Sequence, residues 1–413
     1  MDIFLVITLL VLVSAFCSYL NARFVKLPGA IGIITIAIVV SVITIVIDKL
    51  NPDGAHYLSV LAKEIHFPET VLNIMLGFLL FASSFNANNK NLKKEARAVL
   101  VLSTVSIVIS SAIFGVLFYG LSFVFNLEIP LLYCLLFGAL ISPTDPVAVS
   151  AVIKTSKIPQ NLATIISGES LFNDGVGLVL FVTLLEIIDS GIEHMTFAKT
   201  AMLFAREVFG GGTLGLISGF IAFRLMKSIN DFQTIVLISL SLVLSISVIG
   251  LYLHLSVPLA VVSAGLFASN YTINGDEHEH SHEALGKFWH LVDEMLNTVL
   301  FVMIGLQMIN FPFLKDYWLT GAAAIIITLL ARWISVVFPL TFFCRTLKIN
   351  FNSMNVLTWA GLRGGISIAL ALSLPDSPYR DIILSASYFI VIFSIVVQGL
   401  TLNKVINRLI KPL

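Results

Sequence analysis

Residues 168–181 read GESLFNDGVGLVLF. The second half of this stretch is apolar enough for a lipid bilayer. The first half holds two carboxylates, Glu169 and Asp174, with Asn173 beside the second. A charge at bilayer depth costs roughly 3 kcal/mol or more, so ionisable residues there face protein or a water-filled cavity and mark an ion pathway. Residues four apart share a helix face, which groups Ser170 with Asp174 and Glu169 with Asn173.

The rest of the chain fits a membrane setting. Hydrophobic residues make up 58% and charged residues 12% of 413 residues, where a soluble chain carries about 25% charged residues. The formal net charge is zero, so bulk charge points to no nucleic-acid partner. Cys17, Cys134 and Cys344 fall in apolar segments and read as packing residues, not as a disulfide framework. The opening MDIFLVITLLVLVSAF has Asp2 where a secretory signal would carry positive charge, so it reads as a retained first helix.

A helix crosses the hydrocarbon with about 20 apolar residues. The chain offers about thirteen such spans, near 3–20, 29–47, 69–86, 98–125, 130–153, 160–188, 198–223, 232–250, 256–271, 288–310, 316–343, 352–374 and 381–403. The fold class is therefore an all-α polytopic membrane protein. One set of alternate connections holds Arg23, Lys26, Lys90, Lys93, Lys94, Arg97, Lys154, Lys157, Arg224, Lys227, Arg345 and Lys348, and the C-terminal end adds Lys404, Arg408 and Lys411. The other set holds only Lys49, Lys63, Lys199, Lys315 and Arg380. Basic residues concentrate on the cytoplasmic side, so the expectation is an N-terminus outside, a C-terminus inside and an odd number of crossings of a cell (inner) membrane.

Two spans have interrupted centres. The fifth contains ISPTDPVAVSAV (141–152), where Pro143 and Pro146 each remove a backbone donor and clash with the preceding turn. The twelfth contains WAGLRGGISIALAL (359–372), where Gly361, Gly364 and Gly365 surround Arg363. Irregular backbone at membrane depth survives only inside protein or beside a cavity. The fifth span is fifth among spans one to six, and the twelfth is fifth among spans eight to thirteen. The seventh span shifts the phase, so the two six-helix sets are inverted repeats, as in secondary transporters.

Arg363 is the expected cation for one buried acid. If it pairs with Glu169, Asp174 is left to hold a proton or, deprotonated, a small cation, with Thr144 and Ser170 as oxygen ligands. Asn173 is expected to bond broken-helix backbone, and Asp145 to cap a half-helix N-terminus. The stretch NGDEHEHSHEALGK (274–287) reads as a solvated loop whose His278, His280 and His282 could respond to pH.

TDP at 144–146, GES with ND at 168–174 and GLRGG at 361–365, in this order, resemble the first cation:proton antiporter family, which includes bacterial and archaeal sodium/proton antiporters and sodium/proton exchangers. The resemblance implies a thirteen-helix antiporter fold with crossed broken helices. It implies an ion-translocating core, about 69–190 and 288–403, and a dimerisation part, about 1–47 and 198–271. It further implies a homodimer in membrane lipid, elevator-like alternating access and no cofactor. By the same resemblance Asp174 is the shared cation and proton site, Thr144 and Ser170 lie beside the ion, and Asn173 and Asp145 hold the crossing. Glu169 and Arg363 form a structural ion pair, and the Asn-Asp pair goes with electroneutral one-for-one exchange. Arg332, within LLARWISV, is expected near Asp145, and DEMLNTVLFVMIGLQ (293–307) is also family-like. The expected activity is exchange of Na+ or Li+ for H+. Potassium is the alternative cation, and a cation channel is the rival of another class. No HExxH, paired aspartates or Ser–His pair in the apolar spans supports an intramembrane enzyme.

Overall fold

Long apolar runs with few turn residues leave the backbone one way to satisfy its amides and carbonyls in lipid, which is to form helices. In the computed structural model, which describes residues 3–50, 60–62, 64–153, 156, 158–191, 197–269, 279–310, 317–343 and 349–410, each of the thirteen apolar stretches carries helix, and no strand occurs among the described residues. In chain order the helices are α1 Ile3–Leu20, α2 Gly29–Leu50, α3 Phe67–Phe85, α4 Asn89–Ser103, α5 Val105–Val124, α6 Leu131–Ile141, α7 Pro146–Ile153 and α8 Gln160–Ser190. They continue with α9 Phe197–Lys227, α10 Phe232–Tyr252, α11 Val257–Ala268, α12 Glu279–Gln307, α13 Trp318–Phe343, α14 Phe351–Trp359, α15 Gly365–Leu372 and α16 Arg380–Leu409. Among the described residues ten helical runs are long and apolar enough to cross a membrane, with α4 and α5 counted as one, and α6 and α11 are shorter apolar helices. The chain is a multi-pass membrane protein.

Local chemistry sets several of these ends. Asn88, Asp231 and Asn350 accept from the amides of Asn91, Thr234 and Ser353 at 3.1, 2.8 and 2.8 Å and so cap α4, α10 and α14. The Thr234 hydroxyl and amide hold the Asp231 carboxyl below its ordinary range. Thr104 bends the run between α4 and α5, and its hydroxyl bonds back to the Leu100 carbonyl. Single π-helical turns lie in α3 (Thr70–Met75) and α16 (Phe393–Gln398). The expected loop at 274–287 is partly helix: residues from 279 onward begin α12, while 270–278 lie outside the described residues. Cys17 and Cys134 are buried, and Cys344 lies outside the described residues.

Packing divides into two apolar clusters. The larger gathers α1, α2, the earlier half of α3, α4 to α8 and α12 to α16. The second joins the later half of α3, α9, α10, α11 and the first turns of α12, with Trp289 bonded to the Ser239 hydroxyl at 3.2 Å. Thus α3 and the start of α12, which the sequence groups with the ion-translocating part, pack against the helices of 198–271. α9 meets α11 through Gly211, Gly215 and Gly219, one residue per turn. A Cβ on Gly215 would fall 2.0 Å from the Ala260 carbonyl oxygen. Close backbone approach over small residues is how helices associate where lipid supplies no hydrophobic drive.

Gly215→Leu is therefore expected to lower stability by about 1–3 kcal/mol or more through overpacking. Gly212→Ala, which meets nothing within 4 Å, should raise it by about 0.5–1 kcal/mol through lost chain entropy. Thermal melting of the purified protein in detergent reads both.

Candidate ion-binding site

The site begins as a backbone problem. In an unbroken helix the Ser142 carbonyl would accept from the amide of residue 146, which is a proline and has none. Helix α6 stops at Ile141, and α7 starts at Pro146. The buried Arg363 Nη1 donates to the orphaned Ser142 carbonyl in a short contact and to the Pro143 carbonyl at 2.9 Å. Arg363 lies in the second unwound stretch, between α14 and α15. Its own amide donates to the Ser394 hydroxyl at 2.8 Å. The two stretches cross at a backbone bond from the Asp145 amide to the Leu362 carbonyl at 2.7 Å. The Asp145 carboxylate accepts from the Val147 amide at 2.8 Å and so caps α7, as the sequence suggested. Gly364 is needed at this crossing because a Cβ there would sit 2.1 Å from Asp145 Oδ2.

Helix α8 brings its polar residues to the crossing. Thr144 Oγ1 and Ser170 Oγ share a hydrogen bond at 2.9 Å, and Asn173 Nδ2 donates to Thr144 Oγ1 at 2.6 Å. Asn173 thus bonds a hydroxyl of the broken helix and not its backbone. All three side chains are buried.

The expected Glu169–Arg363 pair is corrected. Glu169 is held by Arg332 of α13, in a short contact from Nη1 to Oε1 and a second bond from Nη2 to Oε2 at 2.9 Å. Arg332 Nη2 also reaches the Leu357 carbonyl at 3.3 Å. Arg332, expected near Asp145, gives its guanidinium to Glu169 and the Leu357 carbonyl. The cause is that Arg363 is taken up by the carbonyls that Pro146 leaves without a donor. Arg332 lies against the unwound stretch at Gly361, where a Cβ would fall 2.6 Å from its Nε. A forked arginine on a carboxylate is the pairing that best compensates the loss of water around both ions.

Asp174 is the exception among the buried acids. It is 3% exposed, and no described residue gives it a hydrogen bond or ion pair. It lines a cavity of about 30 Å³ together with Thr144, Asp145, Ser83, Asn297 and Ser367, room for a water or a small ion. Ser83, Pro146, Val147 and Asn297 also line a wider vestibule of about 370 Å³ that includes His290, Asp293 and Glu294. An adjoining vestibule of about 540 Å³ extends to Asn86, Asn88 and the start of α8. Asp293 and Asn297 share one face of α12. The sequence holds a signal for them in their spacing of four, polar residues on one face of an apolar helix, but the sequence alone gave them no role. Ser394, which holds the Arg363 amide, gave no sequence signal beyond being a serine in an apolar run.

Two unwound helices thus cross beside a buried carboxylate that no described residue pairs, an arrangement of the kind inverted-repeat transporters build at the bilayer midplane. The model of the family described as "Sodium/hydrogen exchanger, transmembrane" matches residues 11–408, and the chain belongs to that family of transporters. It is 37% identical to the Na(+)/H(+) antiporter NhaP of Pseudomonas aeruginosa over 403 residues, covering 95% of this chain and 93% of that one. It is 30% identical to the Na(+)/H(+) antiporter NhaH of Halobacillus dabanensis, covering 99% and 98%. The fold matches the sodium proton antiporter MjNhaP1 from Methanocaldococcus jannaschii with a TM-score of 0.81 over the full length of both chains at 18% identity.

Truncating one partner of a buried ion pair strands the other. Arg332→Ala is expected to destabilise the protein by about 3–5 kcal/mol, read as a loss of melting temperature in detergent. Glu169→Gln combined with Arg332→Met should lose much less than the sum of the single changes.

Proposed function

We propose that this protein exchanges a monovalent cation, Na+ or Li+, for H+ across a bacterial inner membrane, with Asp174 carrying the two in turn. The observation that carries this reading is the buried Asp174 carboxylate, unpaired among the described residues, in a small cavity that shares Ser83, Pro146, Val147 and Asn297 with a wider vestibule. A carboxylate there is favourable only when protonated or when bound to a cation. Thr144 and Ser170 hydroxyls, already bonded to each other at 2.9 Å, supply neutral oxygens beside it. The names of the relatives support Na+ as the cation. With a single such acid and an asparagine at 173, one proton is replaced by one monovalent cation, so each turnover moves no net charge.

The moving unit in this reading is α4 to α8 with α13 to α16, which contains both broken helices and the Glu169–Arg332 pair. The frame is α1 to α3 with α9 to α12, and its second copy forms a dimer through exposed apolar faces that include Phe209, Phe220 and Val248. The packing of α3 and α12 against α10 and α11 supports this division. The vestibule opens beside Asn86, Asn88 and the start of α8, the end of the molecule that carries Lys90, Lys93, Lys94 and Arg97. By the positive-inside bias this is the cytoplasmic side, so the structure corresponds to an inward-open state.

Purified protein in liposomes, with internal pH read by a dye and the potential clamped by valinomycin, tests the reading. An imposed Na+ or Li+ gradient is expected to drive a pH change that ignores the potential, and Asp174→Asn should reduce it to the level of empty liposomes. Because proton and cation compete for one carboxylate, the apparent KM for Na+ should rise about tenfold per pH unit in the acid limb, the slope of one bound proton. Cation flux without a pH change would make the protein a channel.

A further inference from the structure

Asn297 occupies the neck between the vestibule and the small cavity at Asp174, since it lines both. It is 4% exposed, which is unusual for an amide at a water-filled passage. Both of its hydrogen bonds are donated by Nδ2, to the Asp293 carbonyl at 2.8 Å and to Asp293 Oδ1 at 3.0 Å. This fixes the orientation of the amide. The flipped form would set Oδ1 against a carbonyl and a carboxylate, three acceptors with no proton between them. Oδ1 is thus turned away from Asp293, and it accepts no hydrogen bond from a described residue. Asn297 lines the passage on both sides of the neck, so an occupant of the passage can meet this oxygen.

The chemistry of such a group is specific. A neutral amide oxygen is a good ligand for a small hard cation and a poor proton carrier. Its location is equally specific. Asn297 belongs to α12, in the frame, whereas Asp174, Thr144 and Ser170 belong to the moving unit. A ligand on the frame can serve an ion at Asp174 only while the moving unit stands at the vestibule.

We infer that Asn297 is a one-sided ligand, lending its amide oxygen from the frame to a cation that enters by the vestibule and leaving it behind when Asp174 moves away. Asn297 thereby sets cation affinity and the preference between Na+ and Li+ on that face alone. Asp293 acts through it as a positioning residue, holding the amide in the required sense. The inference rests on the antiport reading above for its two-sided form.

The test compares the apparent KM for Na+ and Li+ on the two faces, using inside-out and right-side-out vesicles from a bacterial host without antiporters of its own. Asn297→Leu is expected to raise KM at the vestibule face about tenfold, the order seen when one polar contact to a charged group is deleted. KM at the opposite face should stay at its wild-type value and the maximal rate should change little. Asn297→Gln, which keeps both the amide donors and the amide oxygen, should return part of the lost affinity at the vestibule face. A KM unchanged at both faces, or raised equally at both, overturns the inference, because a residue that merely packs would move both or neither. Na+ binding is read in parallel as thermal stabilisation in detergent. If the wild-type protein exchanges nothing, the antiport reading fails by itself; weaker Na+ stabilisation of Asn297→Leu then still supports the ligand, and equal stabilisation overturns it. If Asn297→Leu is not monodisperse, Asn297→Ala takes its place with the same outcomes.

Discussion

Everything at the centre of this molecule depends on carbonyl groups that have lost their donors. Pro143 and Pro146 end α6, and at bilayer depth an unsatisfied carbonyl costs several kcal/mol, roughly the desolvation of a peptide group. The guanidinium of Arg363 meets that need from the other broken helix by bonding the carbonyls of Ser142 and Pro143. The proline break therefore requires a buried donor nearby, and the glycines around Arg363 let its backbone unwind far enough to deliver it. The crossing bond from Asp145 to Leu362 follows from the same geometry. With Arg363 committed to backbone, a separate cation must neutralise Glu169, and Arg332 is that cation. Asp174 is left as the buried acid that no described cation answers.

This order of dependence explains why the molecule carries two buried arginines beside three acids. One arginine is a backbone donor that happens to be charged. The second is a true counter-ion, forked onto a carboxylate at less than 4% exposure on either side. Asp145 spends its charge on the first amides of α7. Asp174 keeps no counter-ion among the described residues, in a cavity too small to hold more than a stripped ion or a water. Hydroxyls of Thr144 and Ser170 complete the lining without adding charge.

Much of this was legible in the sequence. Paired prolines and clustered glycines inside apolar runs identified both breaks, because those residues act on their own backbone and need no tertiary information. Asp174 was legible for a similar reason, since an acid in the middle of a lipid-length apolar helix has few other uses. The partner of Glu169 was not legible. Arg332 and Arg363 are both lone arginines in apolar surroundings, and sequence spacing does not say which helix packs against α8. One clue was available: asking where the Ser142 carbonyl finds a donor, given proline at 146, would have assigned Arg363 to backbone and released Glu169 for Arg332. The packing of α3 and α12 was hidden for a different reason. Their apolar faces match either side of the molecule, and they pack both ways, Phe67 and Leu300 into the larger cluster and Phe81 and Trp289 into the second.

The backbone bond between Asp145 and Leu362 makes the two breaks interdependent. One arm lacks a donor for the Ser142 carbonyl, and the other holds the arginine that supplies it. Neither arm satisfies its polar backbone in hydrocarbon by itself, so two stretches more than 200 residues apart must meet during folding before either is tolerated.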